Sequence, residues 1–149
     1  MAAGTQLADA LTREHHAIDA GIEAYLADDS DPAPLLTAMD ALRRHIYLEE
    51  RFLFPPLKPA MMMPIFVMLR EHGELWRAMD DVDAAVAADA GGVPDQCRSL
   101  LAQLSSHNTK EEPIVYPRAD ADLSPDIHEQ LTAFLAEGAF PKGWRCEQA

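Results

Sequence analysis

A chain of 149 residues is long enough to bury one substantial core and leaves little room for a second domain. Twelve basic against twenty-five acidic residues give a net charge of −13, which repels phosphate backbones and anionic bilayers and argues against nucleic acid and membrane as partners. There is no apolar run of about eighteen residues and no basic-then-apolar leader, and Cys97 and Cys146 are too few for a disulfide framework; a soluble, cytoplasmic protein is expected.

In chain order, Leu7, Leu11, Ile18, Ile22 and Tyr25 recur at helical spacing up to the polar run DDSDP, which predicts a first helix over 5–27. Pro32 and Pro34 suit a first turn, and the stripe Leu35, Met39, Leu42, Ile46, Phe52 and Leu53 predicts a second helix over 33–54, stopped by Pro55 and Pro56. PPLKPAMMMP is expected to be a connector. A third helix over 64–89 follows from Ile65, Leu69, Leu75, Trp76, Met79, Val82 and Val86, with Gly91 and Gly92 as its stop. Pro94 and Asp95 open a fourth over 94–112 with the stripe Leu100, Leu101 and Leu104, and Ser124 with Pro125 opens a short fifth. No strand pattern competes. The expected fold is an all-α, antiparallel up-down four-helix bundle over about 5–117, with the short helix and tail in 118–149, all in a single domain over 1–149.

One motif occurs twice: HIYLEERFLFP at 45–55 and HNTKEEPIVYP at 107–117 share H-x-x-x-E-E followed by an aliphatic residue, an aromatic and proline. Upstream of each lies a shorter pair, EHHAI at 14–18 and EHGEL at 71–75. Helical spacing turns His15 inward between Leu11 and Ile18, whereas His16 falls at the bundle edge. His45 with Glu49, His72, and His107 with Glu111 lie on the core faces of the other three helices.

A lone inward histidine is usually a hydrogen-bonded core residue. Four of them with two glutamates are different, because a buried carboxylate costs several kcal/mol unless it is paired or binds a metal, and no Lys or Arg lies on these stripes. Glu50 and Glu112, one step round the helix, are expected at the bundle surface or orienting ligands. Met61 to Met63 are expected to be packing or interface residues.

An inward histidine on every helix, with H-x-x-x-E on the second and fourth, resembles the hemerythrin-like, or HHE, domain family over about residues 7–117. The resemblance implies two iron ions in a non-haem centre, oxo- or hydroxo-bridged, with His15 and His45 on one iron, His72 and His107 on the other, and Glu49 and Glu111 bridging. It further implies a small diatomic or peroxide ligand: binding or sensing of dioxygen or nitric oxide first, an enzyme consuming peroxide or reducing nitric oxide second, an iron sensor or zinc-bound structural bundle last. An electron donor is not identifiable. Two departures stand out. Oxygen carriers of the family place a second histidine one turn after the third-helix ligand, where this chain has Trp76, which predicts an open position on both irons. Pro113 predicts a kink or an end of the fourth helix close to Glu111.

Overall fold

The computed structural model describes residues 6–149, so the expected start of the first helix at residue 5 lies outside the described residues. Four long helices build the antiparallel bundle: α1 (Leu7–Ala27), α2 (Ala33–Leu48), α4 (Met62–Ala87) and α5 (Val93–Ile114). Helix α2 runs through a π-helical turn, Glu49–Leu53, into one more α-helical turn, α3 (Phe54–Leu57). Two short helices follow the bundle, α6 (Tyr116–Asp122) and α7 (Pro125–Glu137). There is no strand among the described residues, and no helix there is long and apolar enough to cross a membrane.

The first helix buries the predicted stripe, Leu7, Leu11, His15, Ile18, Ile22 and Tyr25. The second departs from expectation after Leu48. A π turn carries one residue more than an α turn, so it shifts the buried face by one position. Phe52, expected inside, is half-buried; Leu53 is buried as expected, and Phe54 and Leu57 join it in the core. Pro55 and Pro56 do not end the helix, because they occupy the first turn of α3, and the expected connector is partly helical.

Pro113 likewise does not end its helix near Glu111. Helix α5 continues to Ile114, and the Val115 N–H donates to the Glu111 carbonyl at 2.9 Å. The carbonyl that Pro113 leaves without a donor belongs to Thr109, an exposed residue, where solvent can serve it. The break falls instead at Val115, and α6, which periodicity did not reveal, begins with Tyr116 and Pro117. Helix α6 also completes the start of α1, which has no cap of its own: the Asp120 carboxylate accepts from Leu7 N–H at 2.8 Å and Ala8 N–H at 3.0 Å. Helix α7 starts as expected at Ser124, whose hydroxyl accepts from Ile127 N–H. Its last carbonyls, on Phe134 and Leu135, are taken by the Arg44 guanidinium of α2, which also reaches the Gly138 carbonyl.

Two apolar clusters fill the bundle. One contains Ile22, Leu35, Met39, Trp76, Met79 and Leu104; the other contains Leu7, Leu11, Leu53, Phe54, Ile65 and Leu131. Beyond α7, the tail returns along the bundle. Trp144 meets Trp76 and Tyr47 edge-on, with ring centroids 5.4 and 5.0 Å apart, and the Glu147 N–H donates to the Glu50 carboxylate at 2.9 Å. Gly73 permits this approach, since a Cβ there would stand 2.4 Å from the Gln148 carbonyl oxygen.

Candidate metal centre

One imidazole comes from each long helix: His15 on α1, His45 on α2, His72 on α4 and His107 on α5. Glu49 stands in the π turn one turn after His45, and Glu111 stands one turn after His107. All six are buried, with Glu49 and Glu111 wholly inaccessible, whereas His16 is exposed, as the helix register predicts.

Each imidazole is held from outside by a carboxylate of the neighbouring helix. Glu14 accepts from His45 Nδ1, Glu50 from His72 Nδ1 and Glu112 from His15 Nδ1, each at 2.8 Å, and Glu71 accepts from His107 Nδ1 at 2.9 Å. The links run α1 to α2, α2 to α4, α4 to α5 and α5 to α1, closing a ring around the bundle. A carboxylate that takes the Nδ1 proton fixes the tautomer and ring orientation, which leaves the Nε2 lone pair directed inward. Cations secure two of the outer carboxylates: Arg44 pairs with Glu14 at 2.9 Å, and Lys110 pairs with Glu71. No Lys or Arg pairs with Glu49 or Glu111 among the described residues, in keeping with the sequence; their partners are the four histidines.

Inside the ring the four Nε2 atoms converge on the two glutamates. Glu49 spans both sides, with Oε2 at 3.1 Å from His45 Nε2 and Oε1 at 3.0 Å from His72 Nε2. Glu111 Oε1 lies 3.1 Å from His15 Nε2 and 3.5 Å from His107 Nε2, while its Oε2 is buried with no hydrogen-bond partner. Donor atoms of His15, His45, Glu49 and Glu111 lie within 4.8 Å of one another, as do those of Glu49, His72, His107 and Glu111, so the two groups share both glutamates.

This arrangement collects positive charge. Burial alone would push His45 down, but the Glu49 charge and hydrogen bonds donated to Glu14 and Glu49 outweigh it and hold the imidazole at about 10. His107 behaves alike: burial opposes, and the Glu111 charge with hydrogen bonds to Glu111 and Glu71 brings it to about 10. Burial also disfavours the Glu111 carboxylate, yet His107 and His15 keep it well below the usual carboxylate range. Hydrogen bonding to His107 is the main reason that Glu71 sits at about 2.

Do these residues suit a metal? With Nδ1 protons committed outward, neutral His15 and His45 would point two lone pairs at each other across 3.1 Å. Either protons or a cation must fill that gap, and Glu111 Oε2 offers a further vacant lone pair. Nitrogen with carboxylate oxygen suits iron or zinc, and the set contains no thiolate.

Three residues of the assembly had no assigned role in the sequence reading. Glu14 and Glu71 are the glutamates of the two E-H pairs, and their recurrence beside each inward histidine was the available signal. Neither holds the histidine next to it; each reaches across to the following helix. The third is Tyr116, the aromatic of the second long motif, whose hydroxyl oxygen lies 2.6 Å from Glu49 Oε2 and 2.9 Å from Glu111 Oε1. Trp76, by contrast, is packed in the apolar cluster against Trp144, with Arg43 over its ring.

The family model for the hemerythrin HHE cation-binding domain matches residues 6–119, which is most of the chain and includes the six inward donors, the four outer carboxylates and Tyr116. Comparison with curated proteins and with solved structures returned no match.

Proposed function

Since the chain belongs to the hemerythrin HHE cation-binding domain family, we propose that it is a non-haem di-iron protein that binds or senses dioxygen or a related small ligand such as nitric oxide or peroxide. His15 and His45 would hold one iron, His72 and His107 the other, with Glu49 and Glu111 shared. The observation that carries this reading is the pair of donor groups with both glutamates in common, each imidazole aimed inward by its own carboxylate. When bound, two adjacent irons would supply Lewis-acidic, redox-active positions at which a small ligand is held.

The chain's own residues do the rest. The apolar clusters keep bulk water from the imidazoles, which preserves the strength of every charge interaction inside. Glu14, Glu50, Glu71 and Glu112 retain the Nδ1 protons and so keep the Nε2 lone pairs available. For this reason Glu112→Ala, which strips His15 of its support at a partly exposed position, is expected to leave the fold intact and weaken metal binding about 10–100-fold, measured by competition with a chelator.

An enzyme that decomposes peroxide or reduces nitric oxide is the second reading. Trp76 favours it, because a tryptophan one turn after His72 contributes no ligating atom, so a coordination position that a histidine there would fill stays open to a substrate. Metal analysis of the purified protein, followed by visible spectra in air, under nitric oxide and with peroxide, tests both. Two irons per chain and a ligand-dependent spectrum without turnover support the binding reading, and rapid peroxide loss supports the enzyme. A protein that takes up no iron excludes both.

A further inference from the structure

The two long motifs align without a gap, and at their shared aromatic position, Phe54 in one and Tyr116 in the other, the side chains differ by one oxygen. Phe54, next to last in the first, stacks on His72, with centroids 5.4 Å apart and planes 21° from parallel. Tyr116, next to last in the second, lies against His15 with ring centroids 5.3 Å apart. The repeat thus places an aromatic ring beside one histidine of each pair, and only the ring beside His15 carries a hydroxyl.

That hydroxyl is at the middle of one donor group. Its oxygen lies 2.8 Å from His15 Nε2, 2.9 Å from His45 Nε2, 2.6 Å from Glu49 Oε2 and 2.9 Å from Glu111 Oε1. A phenol has one proton to donate and two lone pairs, so it cannot satisfy four such neighbours as a hydrogen-bonding group alone. A cation entering among those four atoms must also meet the phenol oxygen. The ring has little freedom to withdraw, since Tyr116 is wholly buried, packed in the cluster of Leu7, Leu11 and Leu131.

From this geometry we infer that Tyr116 is itself a metal donor, binding as phenolate to the ion held by His15 and His45. The inference rests on the di-iron reading above and deepens it. On binding, the phenol O–H bond breaks, its proton is released to solvent, the oxygen lone pair forms the bond to the metal, and no oxidation state changes. The two metal positions are then unequal: one has two imidazoles, shared carboxylates and a phenolate, and the other has Phe54 where the phenolate would be. An open position on both metals, which Trp76 alone implies, therefore gives way to one on the His72 and His107 side, where an incoming ligand would bind.

The chain has three tyrosines, which makes the assignment direct. The protein is loaded with ferric iron, the metal is counted, and the visible and resonance Raman spectra are recorded for wild type, Tyr116→Phe, and the Tyr25→Phe, Tyr47→Phe double variant. The expected result is a phenolate-to-iron charge-transfer band with phenolate ring modes in wild type and in the double variant, and their loss in Tyr116→Phe. Should Tyr116→Phe fail to fold or to hold iron, the double variant decides by itself, since its remaining tyrosine is Tyr116. Two bound irons without phenolate modes in the double variant overturn the inference and leave the di-iron reading standing; failure to bind iron at all overturns both.

Discussion

His45→Ala and Glu111→Ala are each expected to abolish stoichiometric metal binding and to destabilise the metal-free protein as well. His45 stands between Glu14 and Glu49, so its removal leaves Glu49, wholly buried, with one fewer cation to offset its charge. Glu111 is the carboxylate that sustains the charge on His107, and it lies 3.1 Å from His15 Nε2. Breaking a buried pair by deleting one member costs about 3–5 kcal/mol, because the other is left uncompensated. Loss of the metal adds its own contribution, since a ligand bound only by the folded state stabilises it. His16→Ala should change neither metal content nor stability, its side chain being exposed. Metal analysis and denaturant unfolding of the three variants check this. A His16→Ala protein that empties while His45→Ala stays loaded would contradict the site.

Acid is expected to expel the metal well before it unfolds the bundle. In the metal-free protein His45 and His107 titrate at about 10, so at neutral pH each carries a proton that the metal must displace. Both values lie above the unfolded one, so in the metal-free protein these groups contribute stability fully below about pH 6.5, and that contribution is lost as pH rises through about 10. Metal affinity runs the other way. It should fall roughly tenfold per pH unit for each displaced proton, about a hundredfold per unit for the two together. Glu111, held well below the usual range, keeps its charge and its stabilising contribution until the pH falls below that of an ordinary carboxylate. At neutral pH, with free metal at a hundred times its dissociation constant, loading should add about 2.7 kcal/mol of stability. Chelator competition across pH, with calorimetric counting of released protons, measures both effects. Affinity independent of pH would mean that these imidazoles are not the groups displaced.

Much of this was legible in the sequence for a simple reason: a helix that packs on a core writes its inward face every three or four residues. His15 falls in register with Leu11 and Ile18, and His107 with Leu104, so their burial followed from spacing, as did the exposure of His16. The doubled H-x-x-x-E-E motif marked the same residues on two helices. Local pattern could not show the π turn at Glu49–Leu53, because an inserted residue changes hydrogen-bond register without changing composition, and so Phe52 was expected inside beside Leu53, where Phe54 is buried instead. Nor could it show the carboxylate ring. Glu14 and Glu71 stand beside His15 and His72 in the chain yet hold His45 and His107, because adjacent helix positions point about 100° apart and a neighbour in sequence faces the next helix. Tyr116 is the strongest case. Its hydroxyl reaches Glu111 from five residues further on, a spacing that on a regular α-helix points about 140° away, so the break between α5 and α6 at Val115, which periodicity within either helix does not encode, is what lets both side chains face the centre.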